Sequence, residues 1–211
     1  MIAVWLIRHG ESESNVGLPT TKPTEFTQLT SRGHKQAQAV ATVVPTPDLI
    51  ITSPYVRAKQ TAQPAIAQFP SCPQVEWQVQ EFDYLASPPS VSSHAEILQL
   101  CKAYWQRRDP FYRDGGEAES FANLMQRVVE LFEQLRQLEG KTVLVFSHSG
   151  FIRAVLWASL MQPLEITPKT MDRFCNFIQA LRIPNGAIVK LHLHEQDVFF
   201  SPILTAHLEG L

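Results

Sequence analysis

Three apolar runs in this chain end in residues that could do chemistry. Residues 2–7 lead into Arg8, His9 and Gly10. Residues 48–52 lead into Ser53 and Pro54, with Arg57 about one helical turn further on. Residues 142–147 lead into His148, Ser149 and Gly150. Arginine carries a permanent charge on a planar fork that matches phosphate oxygens two at a time. Histidine can act as nucleophile, as base or, when protonated, as an electrostatic clamp. A helix that starts at such a strand end adds backbone N–H donors and partial positive charge, which also favours an anion. Two arginines and two histidines, with no acidic metal-binding cluster in the same loops, favour a phosphate oxyanion over a metal ion. One Arg or His after a strand is ordinarily a solvated loop residue. Recurrence at three corresponding strand ends is what sets these apart.

The remaining histidines lack that context. His34, His94 and His207 are expected at the surface or as caps. His192 and His194 stand two apart on a strand-like segment, so they share a face and could bind a metal. No third ligand accompanies them, and a structural role is expected. The segment Phe146-Ser147-His148-Ser149-Gly150 resembles the G-x-S-x-G elbow of serine hydrolases only in part. The first glycine is missing and His148 occupies the nucleophile's place, which argues against that chemistry.

These residues must be positioned by elements whose order the hydropathy pattern reveals. Strands are expected at 2–7, 48–52, more weakly at 75–79, and at 142–147. Helices are expected at 30–44, from about Pro54, at 95–106, at 120–138 and at 151–161. The helix at 120–138 is the clearest, because Phe121, Leu124, Met125, Val128, Phe132 and Leu135 form one apolar stripe. Two late strands are expected around a turn near Glu195–Asp197, and Pro/Ser/Thr-rich loops near 17–30 and 86–93. Short, continuously apolar strands alternating with helices predict an α/β fold, a mostly parallel sheet covered by helices on both faces. In such sheets ligands bind beyond the carboxyl ends of the strands, so the three polar strand ends should share a crevice.

The bulk numbers fit one globular domain spanning residues 1–211. The chain is 45% hydrophobic and 18% charged, with a net charge of −2. Such a balance gives no global attraction to nucleic acid or to an anionic membrane, so any attraction for anions must be local. No apolar run approaches the roughly 18 residues of a membrane span. The stretch after Met1 is too short for a secretory leader and has no basic segment before it. Cys72, Cys101 and Cys175 are odd in number and form no CxxC, as expected of inert thiols in a reducing compartment. A cytoplasmic location is expected.

Taken in order, these residues resemble the motifs of the histidine phosphatase superfamily, also called phosphoglycerate mutase-like. The RHG motif stands at Arg8–Gly10, with Asn15 at the usual later position. The "LT..G..QA" motif is matched by Leu29, Thr30, Gly33, Gln36 and Ala37, and "SP..RA.QTA" by Ser53, Pro54, Arg57, Ala58, Gln60, Thr61 and Ala62. "GGEAESFANLMQRV" and "VLVFSHSGFIRAVL" resemble two further family segments, so the likeness runs from about residue 2 to 190. The resemblance implies a three-layer α/β/α sandwich and a metal-independent phosphatase without cofactor. His9 would attack phosphorus to give a phosphohistidine, which water would hydrolyse. Arg8, Arg57 and His148 would hold the phosphoryl oxygens. Gly10, Asn15 and Ser149 would line the phosphate pocket, and a carbonyl of the RHG turn would orient the His9 ring. The general acid is expected in the loop after the third strand, where "VQEFDYL" offers Glu81 and Asp83; Glu81, directly after the strand, is preferred. Glu119 either orients a pocket residue or begins the long helix.

Two departures bear on the substrate. Many members carry an Asp shortly before "LT", whereas "TEFTQLT" has none, with Glu25 nearby. The cofactor-dependent mutases carry a longer basic insertion after the acid, whereas here "SPPSVSSHAE" is short. Arg107, Arg108 and Arg113 could receive an anionic substrate tail or form a solvated helix end. A phosphatase acting on a small phosphorylated substrate is therefore favoured over a mutase-type phosphoryl transferase. Candidates are a sugar phosphate, a phosphoglycerate-like acid, phosphoserine, a nucleotide-related ester or a phosphoprotein. A non-catalytic phosphate-binding module and a metal-dependent hydrolase are the alternatives of other classes.

Overall fold

The computed structural model describes residues 1–17, 23–86, 94–195 and 197–211. Most of the loop expected at 86–93, part of that at 17–30 and the centre of the late turn lie outside the described residues. The strands are β1 (Ile2–Arg8), β2 (Leu49–Thr52), β3 (Gln74–Glu76), β4 (Thr142–Ser147), β5 (Ile188–His194) and β6 (Asp197–Phe200). The helices are α1 (Ser31–Val43), α2 (Val56–Gln68), α3 (His94–Gln106), α4 (Phe121–Arg136), α5 (Ser149–Leu160) and α6 (Pro168–Ala180).

The strands form a sheet in the order β3-β2-β4-β1-β5-β6. The first four in that order are parallel, and β5 and β6 run antiparallel. Side chains of successive strand residues point to opposite faces, so each central strand feeds two cores. Val4, Leu6, Ile51, Val143 and Val145 pack under α4, α5 and α6. Ile7, Ile50, Leu144 and Phe146 pack with Val40, Ala41, Ala62 and Ala65 of α1 and α2. Burial on both faces is why these strands read as apolar runs rather than alternating ones. The expected three-layer α/β/α fold, with a mostly parallel sheet, is observed.

Local chemistry sets the helix ends. Thr30 caps α1 by accepting from the Gly33 N–H, and Ser120 caps α4 by accepting from the Asn123 N–H. The predicted stripe of α4 is buried, together with Leu131, and each such side chain contributes about 1.5–3 kcal/mol. Two elements differ from expectation. The third strand stops at Glu76, because the Val79 N–H turns back to the Trp77 carbonyl at 2.8 Å. Helix α6 was not expected, although Thr167 as cap, Pro168 in the first turn and the spacing of Met171, Phe174 and Phe177 carry its signal. No helix among the described residues is long and apolar enough to cross a membrane.

Candidate active site

Pairing within the parallel part of the sheet brings the three polar strand ends together. Arg8 stands beside Ser147 in register, and Thr52 beside Phe146. The ladder continues past the strands, with the His9 N–H on the Ser147 carbonyl at 2.9 Å and the Ser53 N–H on the Phe146 carbonyl at 3.0 Å. As a result the His9 and His148 rings lie 5.0 Å apart, and Arg57 Nε donates to His9 Nε2 at 3.2 Å.

His9 is 2% exposed and His148 is fully buried. His9 Nδ1 lies 2.7 Å from the Gly10 carbonyl, an acceptor, so Nδ1 carries the proton and Nε2 presents its lone pair. Burial, followed by the charges of Arg57 and Arg8, holds the imidazole well below its ordinary pKa and therefore neutral. His148 is lowered in the same way, first by burial and then by Arg57 and the neighbouring groups. His148 Nε2 is 2.8 Å from Ser53 Oγ, while its Nδ1 is buried without a protein partner. Arg8 donates through Nη1 to the Ile183 carbonyl at 2.6 Å, and its Nε is likewise buried and unpartnered. Burial lowers Arg8 to about 10, which leaves it charged at neutral pH. Arg8 Nε is a buried donor without a partner, and His148 Nδ1 is a second one when Ser53 Oγ donates to Nε2; with the Arg57 guanidinium beside them, these donors suit an oxyanion and not a cation.

Residues of the sequence motifs that carry no reactive group hold this loop in place. The Gly10 N–H donates to Thr61 Oγ1 at 3.0 Å, and the Glu11 N–H to Gln36 Oε1 at 2.7 Å. Thr30 Oγ1 donates to Glu11 Oε1 at 2.8 Å, and the Leu29 N–H to Gln60 Oε1 at 2.8 Å. Gly10 is required by a close approach to α1, since a Cβ there would lie 2.5 Å from the Gly33 carbonyl oxygen.

Glu81 reaches the site from the loop after β3. Its Oε1 accepts from the Gly150 N–H at 2.8 Å, at the start of α5, and from its own Phe82 N–H at 3.0 Å. Gly150 leaves the space for this carboxylate, because a Cβ would lie 2.3 Å from Glu81 Oε1. Ser149 begins the same helix and is buried. Asp83 accepts from the Tyr55 hydroxyl, and burial raises its carboxyl above the ordinary range. Asn15 sits further out; its Oδ1 accepts from Asn185 Nδ2 at 2.8 Å.

Several residues beyond Arg8, His9, Arg57 and His148 also belong here. Asn185 Nδ2 lies 3.2 Å from the His9 carbonyl oxygen and 3.3 Å from that of Gly10. Ser53 holds His148, and Arg127 ties Glu119 to the loop that carries Glu81. The Pro184-Asn185-Gly186 turn signal before β5 was legible, but its antiparallel direction was not. Arg107 lies over the Tyr112 ring, Arg108 pairs with Asp172, and Arg113 donates to the Ala118 and Gly116 carbonyls. His34, His192 and His194 are exposed, and His207 Nε2 is 2.9 Å from the Gly186 carbonyl. The side chain of His94 lies outside the described residues.

The family model of the histidine phosphatase superfamily (branch 1) matches residues 4–199. The adenosylcobalamin/alpha-ribazole phosphatase of Escherichia coli is 28% identical over 174 residues, 77% of this chain and 81% of that protein. PhoE of Bacillus subtilis, an uncharacterized phosphatase, is 30% identical over 160 residues, 74% and 76% of the two chains. A phosphoserine phosphatase from Entamoeba histolytica, solved with 3-phosphoglyceric acid, has the same fold: TM-score 0.74, 24% identity, 99% and 100% coverage. With the motifs, the fold and the family model in agreement, the chain belongs to branch 1 of the histidine phosphatase superfamily.

Proposed function

We propose that this chain is a metal-independent phosphomonoesterase, a single domain over residues 1–211, that works through a phosphohistidine on His9. The observation that carries the reading is the His9 ring itself, fixed by the Gly10 carbonyl at Nδ1 and presenting Nε2 beside Arg57. Nε2 attacks phosphorus in line, and the P–O bond to the alcohol breaks. Arg8, Arg57 and His148 hold the phosphoryl oxygens and stabilise the charge that spreads over them in the transition state. Asn15 and Ser149 line the phosphate pocket, and Gly10 orients the nucleophile. Glu81 protonates the departing alcohol oxygen and then accepts a proton from the water that attacks the phosphohistidine. The P–N bond breaks, releasing inorganic phosphate and neutral His9.

The alcohol half of the ester would occupy the adjoining cleft of about 720 Å³, which is lined by Tyr55, Asp83, Tyr84, Glu25 and Glu117 among others. Arg57 Nη1 donates to the Thr24 carbonyl on the cleft wall at 2.7 Å, so cleft and phosphate groups are contiguous. Aromatic rings and carboxylates suit an uncharged or cationic, hydroxyl-bearing alcohol better than the carboxylated bisphosphate of a mutase.

The test is hydrolysis of p-nitrophenyl phosphate with chelator present, together with rapid-quench trapping of labelled enzyme. Wild type is expected to turn over without metal and to form an acid-labile, alkali-stable phosphoenzyme. His9→Ala is expected to lose both. Substantial turnover by His9→Ala, or chelator-sensitive activity, would overturn the reading.

A further inference from the structure

Glu81 stands on a segment with little secondary structure to hold it. Strand β3 ends at Glu76, and the chain from Trp77 to Ala86 forms neither strand nor helix. A general acid must be held within hydrogen-bond reach of the leaving oxygen, and a misplacement of about 1 Å from a remote change can cost about 100-fold in rate. Something must therefore fix this loop.

The arrangement around Arg127 of α4 meets that need. Its Nη1 donates to the Gln78 carbonyl at 2.8 Å and to the Gln80 carbonyl at 3.1 Å, and its Nη2 to the Glu81 carbonyl at 3.4 Å. The same guanidinium is gripped on two edges by Glu119, with Nε to Oε1 and Nη2 to Oε2 both at 2.6 Å. Its face lies over the Phe151 ring, with 4.8 Å from Cζ to the ring centre. Phe151 follows Gly150, whose N–H holds the Glu81 carboxylate. Glu119 also reaches the loop through its backbone N–H, which donates to the Asp83 carbonyl at 2.9 Å. The Arg127 and Glu119 side chains are only 11% and 16% exposed, so solvent screens the pair weakly. A planar, five-donor fork can bond a carboxylate and three carbonyls at once; an ammonium cannot.

We infer that Arg127, locked by Glu119, is a positioning residue for the general acid, setting the Glu81 carboxylate against the leaving oxygen without touching substrate. This rests on the reading of Glu81 as acid. Glu119 is thereby more than a helix-start carboxylate.

The experiment compares kcat for an alkyl ester, glycerol 2-phosphate, with kcat for p-nitrophenyl phosphate, whose phenolate leaves with little need of a proton. Glu81→Gln calibrates the assay and is expected to lower the alkyl rate at least about 100-fold, with a much smaller loss on the aryl ester. Arg127→Ala is expected to show the same asymmetry in weaker form, a loss about tenfold larger on the alkyl ester. Arg127→Lys keeps the charge but not the fork and should recover part of the loss; Glu119→Gln should fall between wild type and Arg127→Ala. If Arg127→Ala does not fold, Arg127→Lys and Glu119→Gln carry the comparison. Equal losses on both esters in the Arg127 and Glu119 variants, or no loss, would overturn the inference while Glu81→Gln stays asymmetric. Equal losses in Glu81→Gln itself would instead remove the acid assignment on which it rests.

Discussion

Burial beside two guanidinium groups decides the protonation of His9 and His148. Both lie well below the ordinary imidazole value, through burial first and then the cations. In the unfolded chain they would titrate near a pH of about 6.5. Between that value and their depressed folded values the unfolded state binds more protons, so stability falls as pH drops through this window. Above it both states hold the rings neutral, and the two histidines add no pH dependence to stability. Imidazole ¹⁵N shifts at pH 6 are expected to report neutral rings, with the Nδ1–H tautomer for His9; titration near 6.5 would contradict this. Gly150 offers a second check. In the first turn of α5 an alanine is tolerated or gains up to about 1 kcal/mol in helix propensity, but its Cβ would occupy the place of Glu81 Oε1. The carboxylate can swing aside, so Gly150→Ala is expected to melt no lower than wild type and yet lose alkyl-ester turnover at least about tenfold. A lower melting point would show that the carboxylate cannot leave its bonds to the Gly150 and Phe82 N–H groups at no cost.

The elements divide the work by direction. Parallel strands β1, β2 and β4 deliver residues from their carboxyl ends, which the apolar runs announced. Strand β5 pairs antiparallel with β1, Ile188 opposite Ile7, so it delivers residues from its beginning. That places Ile183 and Asn185 against the RHG loop. Asn185→Ala removes donors to the His9 and Gly10 carbonyls and the link to Asn15. Its expected cost is about 1 kcal/mol of stability, measured by urea unfolding, with a lower kcat/KM on p-nitrophenyl phosphate. A variant with full activity would show that the loop is held without it. Of the motif residues that read as mere family spacing, Thr30, Gln36 and Thr61 tie this loop to α1 and α2, and Gln60 ties Leu29, just before α1, to α2.

Across the whole molecule, a net charge of −2 conceals a divided site. The phosphate end is built from Arg8 and Arg57, whereas the described lining of the adjoining cleft contains Glu25, Asp83 and Glu117, and the recess next to it sets Arg113 among Asp83, Glu117 and Glu119, so carboxylates outnumber cations there. A carboxylate on the alcohol half would meet like charge, at a cost of about 1–3 kcal/mol for a partly solvated pair near 6 Å. Glycerol 3-phosphate and 3-phosphoglycerate share a carbon skeleton and differ in that carboxylate. The first is expected to have the higher kcat/KM, by about tenfold, with the ratio shrinking as salt is added. A preference for 3-phosphoglycerate would show that the cleft charges do not govern selection.

The chain's own pattern determined the layer architecture, because strands buried on both faces must be apolar throughout and their crossover helices amphipathic. It also determined that Arg8, His9, Arg57 and His148 would meet, because strand ends in a parallel sheet converge whatever their spacing along the chain. Tertiary structure alone decided the rest. Whether a strand runs up or down leaves no mark on its hydropathy, so Asn185 could be found only once β5 was seen to pair antiparallel. The grip of Arg127 on the Glu81 loop depends on where α4 lies across the sheet, and helix periodicity fixes which face is buried but not what its polar edge will meet. The proton on His9 is likewise a property of the folded molecule, set by one carbonyl at 2.7 Å and by the loss of water around the ring.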